Sequence, residues 1–318
     1  MEKTNALKNA AKGKTWMRKA GIIFSLLILF VFFALMSDKF FTQGNITNIL
    51  LQSSINGTVA LGMTLVIITG GIDLSVGSIM ALTSMVAAQM MTQGTPLPLA
   101  LFCAVLIGLC CGAANGLMIS LLNLQPFLVT LGTMSAYRGI TLIISDGLPV
   151  RGLNSDFLNA MNSMNSTVPV PIIMLFVFAI ILGFVIKNTC YGQYIFAVGG
   201  NEEATRFSCV NTSRVKTITY TLSGLACTIA AIIYMGRLAA ADPQAGAGYE
   251  LDAIASAAIG GASMAGGRGS LVGTIIGALI LGTLSNGLTL LNVQSFYQTL
   301  FVGIIILVAT TIDRFTNK

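Results

Sequence analysis

The chain has 318 residues, 55% of them hydrophobic and only 9% charged, with a formal net charge of +6 and a mean hydropathy of +0.85. Soluble domains carry roughly a quarter charged residues, so a water-soluble globule, a disordered chain and a secreted disulfide scaffold are all disfavoured. Histidine is absent, which removes the usual zinc sites and Ser-His or Cys-His catalysis.

Residues 1–19 hold six basic residues against one acidic residue, directly before an apolar run. That pattern reads as a cytoplasmic segment facing anionic lipid. Ala34-Leu35-Met36 is a poor cleavage site and more apolar runs follow, so the run after Lys19 reads as a retained first helix with Trp16 near the inner interface. Crossing ~30 Å of hydrocarbon takes roughly 20 helical residues, and Leu74 to Tyr137 alone is 64 residues without a charge. The expectation is an all-α, polytopic membrane domain over 20–318. Its apolar runs place ten spans at about 20–37, 46–70, 75–92, 97–122, 126–145, 170–187, 216–237, 253–267, 270–291 and 298–313. Ten spans that start inside also end inside. The 17 basic residues then divide as 13 inside, 3 outside and Arg138 within the fifth span, as the positive-inside rule requires.

Two spans look broken. The second ends in Gly70-Gly71 just before Asp73, and the short eighth ends in Gly266-Gly267-Arg268-Gly269. Breaks of this kind survive in a membrane only where protein or a wet cavity satisfies the freed backbone, and transporters place them on substrate paths. Asp73 with Ser75 reads either as a cap on the third span or, with Gly70 and Gly71, as a hinge. Glu250 and Asp252 precede the eighth span in a similar setting on the outer side, as a cap or as a contact for an external partner. The pairing implies that spans 2–5 and 7–10 are inverted repeats. Gly108, Gly112 and Gly116, like Gly273 and Gly277, recur every four residues, a spacing that lets helices pack closely within a subunit or between subunits. The cytoplasmic connection 188–215 contains Asn201-Glu202-Glu203, a cap followed by acids in a first turn. It predicts a short helix along the membrane surface with Phe207 and Val210 on one side, serving as an interfacial loop or as a docking helix.

Several chemistries are missing. The six cysteines form no C-x-x-C pair, four fall in apolar segments and Cys190 and Cys209 in the cytoplasmic loop, which fits reduced thiols. Gly13-Lys14-Thr15 has Lys8 where a phosphate-binding loop needs glycine, so nucleotide energy must come from another chain. Arg138 is the only deep charge expected, close enough to a helix end to snorkel. Uncharged polar residues are plentiful instead: Gln52, Ser53, Asn56, Thr64, Asn115, Ser285 and Asn286. They suit a pathway for a neutral polyol, or hydrogen bonds between helices.

Four blocks in order carry a family resemblance: Gly70-Gly71-Ile72-Asp73-Leu74-Ser75-Val76-Gly77, then Gly200-Asn201-Glu202 with Ala204, then Gly248-Tyr249-Glu250-Leu251-Asp252-Ala253-Ile254-Ala255, then Gly266-Gly267-Arg268-Gly269 with Gly273-Thr274. Together they resemble permease subunits of bacterial ATP-binding-cassette importers for ribose and related sugars. The resemblance implies a homodimer in the inner membrane, both termini cytoplasmic, moving ribose or a related monosaccharide inward without covalent chemistry. It implies ATPase subunits docked beneath, carrying ATP and Mg, and a periplasmic sugar-binding protein above. Neither cofactor nor metal would sit in this chain, and nucleic acid would not be a partner. The coupling element would be Gly200, Asn201, Glu202, Glu203, Ala204 and Arg206. The family usually has alanine and glycine where this chain has Thr205 and Cys209. An ATP-independent sugar carrier or channel is the alternative.

Overall fold

The structure, a computed structural model of the single chain, describes residues 21–162 and 168–316. The basic segment 1–19 and Trp16 lie outside the described residues. Thirteen helices follow in order among the described residues: α1 Gly21–Met36, α2 Gln43–Ile68, α3 Val76–Thr92, α4 Leu97–Leu121, α5 Pro126–Ser145, α6 Ser155–Asn162, α7 Val170–Asn188, α8 Cys190–Gly200, α9 Glu202–Phe207, α10 Thr212–Leu238, α11 Tyr249–Ile259, α12 Leu271–Leu290 and α13 Ser295–Thr316. A two-residue antiparallel pairing of β1 Val150–Arg151 with β2 Ala240–Ala241 is the only ladder among the described residues. The chain is all-α in class.

Helix ends follow local chemistry. Prolines stand in the first turns of α4, α5 and α7, where the missing N–H would have had no partner anyway. Asp146 and Ala239 take left-handed backbone to close α5 and α10. Six helices (α2, α4, α5, α7, α10 and α12) are long and apolar enough to cross a membrane, and α1, α3 and the apolar part of α13 are shorter apolar helices. Large apolar side chains such as Phe24, Leu35, Phe102, Ile143, Ile180 and Phe184 are exposed on the outside of the bundle, the reverse of a soluble protein and suited to lipid.

α2 and α10 form the buried centre. α4 packs on α10 while α12 packs on α2, and α3 packs on α4, α5 and α10 while α11 packs on α12, α13 and α2. The glycine repeats serve these seams within the chain. Gly108, Gly112 and Gly116 press α4 onto the backbone of α10 at Gly224, Tyr220 and Thr217, and Gly273 and Gly277 press α12 onto Gly260 and Ser256 of α11. Van der Waals contact at this range replaces the hydrophobic drive that lipid does not supply.

Two expected boundaries move. The eighth span, expected over 253–267, is a helix only from Tyr249 to Ile259; residues 260–270 are irregular, with Gly261, Gly266 and Gly267 at positive φ. The seventh begins at Thr212 rather than 216, so Arg214 and Lys216 lie in the first turns of α10.

Candidate functional site

The first break lies between α2 and α3. Gly70 turns the chain in left-handed backbone at φ +80, whereas Gly71 is not left-handed: the Tyr220 hydroxyl of α10 occupies the space a side chain would need. Asp73 is completely buried, facing the middle of α10. Its Oδ1 accepts the Ser75 N–H at 3.0 Å and the Ser75 hydroxyl at 2.6 Å, and its Oδ2 accepts the Ser223 hydroxyl at 3.0 Å. The carboxylate therefore ties the first turn of α3 to α10. Asn115 of α4, grouped above with pathway residues, is fully buried and donates to Ser75 Oγ at 2.8 Å, while the Tyr137 hydroxyl of α5 shares its one proton between the Cys111 carbonyl at 3.2 Å and Asn115 Oδ1 at 3.4 Å. Four helices meet in one paired network. Asp73, not only Arg138, is a deep ionisable group.

A second break, apart from the one at 266–269 expected from the sequence, lies between α10 and α11. Arg138 of α5 does not snorkel: its guanidinium donates to the Pro243 and Ala245 carbonyls, the latter at 2.9 Å, and so clamps the segment 242–248. Gly248 starts α11 at φ +88, and Glu250 Oε1 accepts the Gly248 N–H at 3.2 Å. Glu250 and Asp252 were expected ahead of the helix and exposed. They stand within its first turn and are half-buried, because α11 begins three residues before Asp252 and folds inward against α3. The two breaks touch where Gly77 meets Gly246 backbone to backbone, with Glu250 beside them.

At the other end of the first break, three of the four sequence blocks converge. The Gly267 N–H donates to the Ile68 carbonyl at 2.8 Å. Gly199, at the end of α8, packs on Ile68 and Gly267, and Gly266 packs on Gly199 and Gly70. Side chains at these points would hold the three backbones apart. α9 follows at once: Asn201 Oδ1 accepts the Ala204 N–H at 2.9 Å, the expected cap. Glu202 pairs with Lys216 at 2.6 Å, and Glu203, Arg206 and Phe207 are exposed. A cleft of about 360 Å³ beside α9 is lined by Asn123, Leu124, Glu202, Glu203, Arg206 and Lys216, among others. Thr205, where alanine was expected, is buried and donates its hydroxyl to the Asn201 carbonyl at 2.7 Å. Cys209, where glycine was expected, sits at φ +60 and ends the helix. Tyr191 of α8 bonds Thr219 at 2.9 Å, and burial pushes its phenol up to about 12.

The remaining polar residues gather where α2 faces α12. Thr64 bonds Thr274 at 2.7 Å, and Asn56 Nδ2 donates to Ser256 Oγ of α11 at 3.3 Å. Ser53 abuts Gly282. Gln52, Ser285 and Asn286 are half-buried. Ser223, Tyr137, Tyr220 and Lys216 belong to these sites and were not anticipated. Each carries an ordinary helix-surface or core signature in the sequence, and only its partner gives it a role. Among the described residues no group of three His, Cys, Asp or Glu is placed to hold a metal ion.

Apolar helices interrupted by glycine-and-carboxylate turns, with apolar side chains facing outward, suit a multi-pass membrane protein of the transporter class. The family model described as branched-chain amino acid transport system / permease component matches residues 45–310, and the chain belongs to that family. It is a permease of the ribose type: it is 44% identical to the ribose import permease protein of Bacillus subtilis over 94% of this chain and 93% of that one. It is 42% identical to the ribose import permease protein of Escherichia coli K12 over 95% of each, and 40% identical to the D-allose transport system permease protein of the same strain over 94% and 93%. These relatives are transport proteins, not enzymes. No solved structure matches.

Proposed function

We propose that this chain is the membrane subunit of an ATP-driven importer that carries ribose or a closely related monosaccharide into a bacterial cell. The reading is carried by its likeness to ribose import permeases along nearly the full length of both partners. Two copies form the pathway in the inner membrane, each crossing it about ten times with both termini in the cytoplasm. Separate ATPase subunits hold ATP and Mg and grip Gly200, Asn201, Glu202, Glu203, Ala204 and Arg206. A periplasmic sugar-binding protein delivers the sugar from the other face, next to the loop that leads to Glu250 and Asp252.

Spans 2–5 and 7–10 are inverted repeats in this scheme. The mirrored neighbour pattern of α2–α5 and α10–α13 supports it, and so do three short matches: Ser223-Gly224 with Asn56-Gly57, Asn115-Gly116-Leu117 with Asn286-Gly287-Leu288, and Gly71-Ile72-Asp73-Leu74 with Gly248-Tyr249-Glu250-Leu251. Gly70, Gly71, Asp73 and Ser75 form the hinge. The route of force is short: α9 adjoins Gly199, Gly199 packs on Ile68 and Gly267, and the break that begins there ends at Gly77 against Gly246. Partners that bind one arrangement of this relay more tightly than the other drive the cycle. Gln52, Ser53, Asn56, Ser285 and Asn286 border the sugar path.

The test is uptake of labelled D-ribose into liposomes containing this chain, its ATPase and its binding protein. Uptake is expected only with all three and ATP. Accumulation by this chain alone would establish the ATP-independent carrier instead.

A further inference from the structure

The two repeats differ at corresponding positions. Around Asp73 the side chains of Ser75, Ser223, Asn115 and Tyr137 are all paired with one another. In the other repeat Asn56 stands for Ser223 and Asn286 for Asn115, and there the chain of bonds is open. Ser53 Oγ, Asn56 Oδ1, Thr283 Oγ1 and Asn286 Oδ1 are buried and find no hydrogen-bond partner in the protein. Ser53, Asn56 and Thr283 are only 2%, 7% and 0% exposed.

These four atoms stand on α2 and α12, two helices that pack on one another. Ser53 and Asn56 lie one turn apart on α2; Thr283 and Asn286 lie one turn apart on α12; and Ser53 touches Gly282, the neighbour of Thr283. The Phe33 ring of α1 rests on Gly287 at one end. An unpaired hydroxyl or amide oxygen in an apolar interior is costly, and folded proteins leave few of them. Four on one helix pair therefore call for a visiting partner. Amide oxygens only accept and hydroxyls both give and accept, so a partner bearing O–H groups, which do both, satisfies all four. None of the four side chains carries a charge to balance that of an ion, which favours a neutral partner.

We propose that the α2–α12 seam is a binding site for the O–H groups of a sugar in transit. It rests on the transport reading above for its role, but not for its chemistry. The site is complete only when such a ligand enters, so the seam is the side of the bundle that parts, while the paired network at Asp73 moves as a unit.

The test uses full-length protein with Ser53→Ala and Thr283→Val, made separately, and Asn115→Ala as the paired-network control. Each purified protein is melted with and without D-ribose, and each is assayed for ATP-driven D-ribose uptake with the partner subunits. Removing an unpaired buried hydroxyl should raise the thermal midpoint by roughly 2 °C and slow uptake severalfold, whereas Asn115→Ala should melt lower than wild type. A lower midpoint for both seam variants, or uptake at the wild-type rate, would overturn the proposal. If D-ribose raises the midpoint of wild type but not of Thr283→Val, the visiting hydroxyls are the sugar's; if it shifts neither, or both alike, the seam takes no sugar and the proposal is overturned. Should wild type move no ribose with its partners present, the transport reading fails, and the melting comparison still decides the seam.

Discussion

Gly77→Ala probes the point where the two breaks rest on each other. An added Cβ would overlap the Gly246 carbonyl oxygen and stand 2.9 Å from its carbon and 3.0 Å from Glu250 Oε2. Gly246 cannot yield easily. It sits at φ +71 against the Gly77 backbone, and the segment around it is clamped by Arg138. Relief requires the two backbones to part by roughly 1 Å, in an interior with little free volume. Overpacking of this kind costs about 1–3 kcal/mol, and each kcal/mol lowers the midpoint by roughly 2–4 °C in larger domains. The variant should thus melt roughly 2–12 °C below wild type, and ATP-driven uptake in proteoliposomes should fall further than its remaining folded fraction explains. Gly183→Ala is the control: no atom lies within 4 Å of its added Cβ, and a helical alanine gains about 1 kcal/mol over glycine. Wild-type melting and full uptake by Gly77→Ala would refute the idea that the breaks bear on one another.

Glu202→Lys removes a surface ion pair worth about 0–1 kcal/mol, so melting and membrane insertion should hardly change while ATP hydrolysis continues without sugar uptake; normal uptake would remove α9 from the docking role. Arg138→Met strips two carbonyls of charge-assisted bonds worth about 1.5–3 kcal/mol each. Amide hydrogen exchange across 242–248 should then quicken and uptake fall. Arg138→Lys should restore only part, since one guanidinium nitrogen holds both carbonyls and the shorter lysine side chain brings its ammonium less far; unchanged exchange in the Met variant would mean the clamp holds nothing. Cys209→Gly relieves a left-handed residue costing about 1–2 kcal/mol against roughly 0.5–1 kcal/mol of added backbone entropy. A small rise in midpoint is expected, and a fall would show that the turn after α9 does not require positive φ.

Much of this organisation is readable without coordinates. Charge-free runs locate the helices, since helix formation and transfer into lipid depend on residues close together in the chain. Asn201 announces α9 because a cap bonds three residues ahead. Gly70 marks the first break because a left-handed turn is likewise a local event. The second break is harder to read. Gly248-Tyr249-Glu250-Leu251-Asp252 reads as an exposed approach to a helix, and only the inward fold of α11 against α3 buries it. The Asn-Gly-Leu matches at 115 and 286 are three residues long and gain weight only beside the mirrored packing of the helices that carry them.

The chain's composition by itself determined a helical body soluble in hydrocarbon, with glycine-weakened points and few charges, because those properties add up residue by residue. Which points meet was decided by tertiary structure alone. Asp73 reaches Ser223 across 150 residues and Arg138 reaches Pro243 across 105, and such distances close only when all the intervening helices have packed. The same holds for the polar side chains. Whether an asparagine is satisfied, as Asn115 is, or left wanting a partner, as Asn286 is, depends on what the facing helix presents and not on the asparagine.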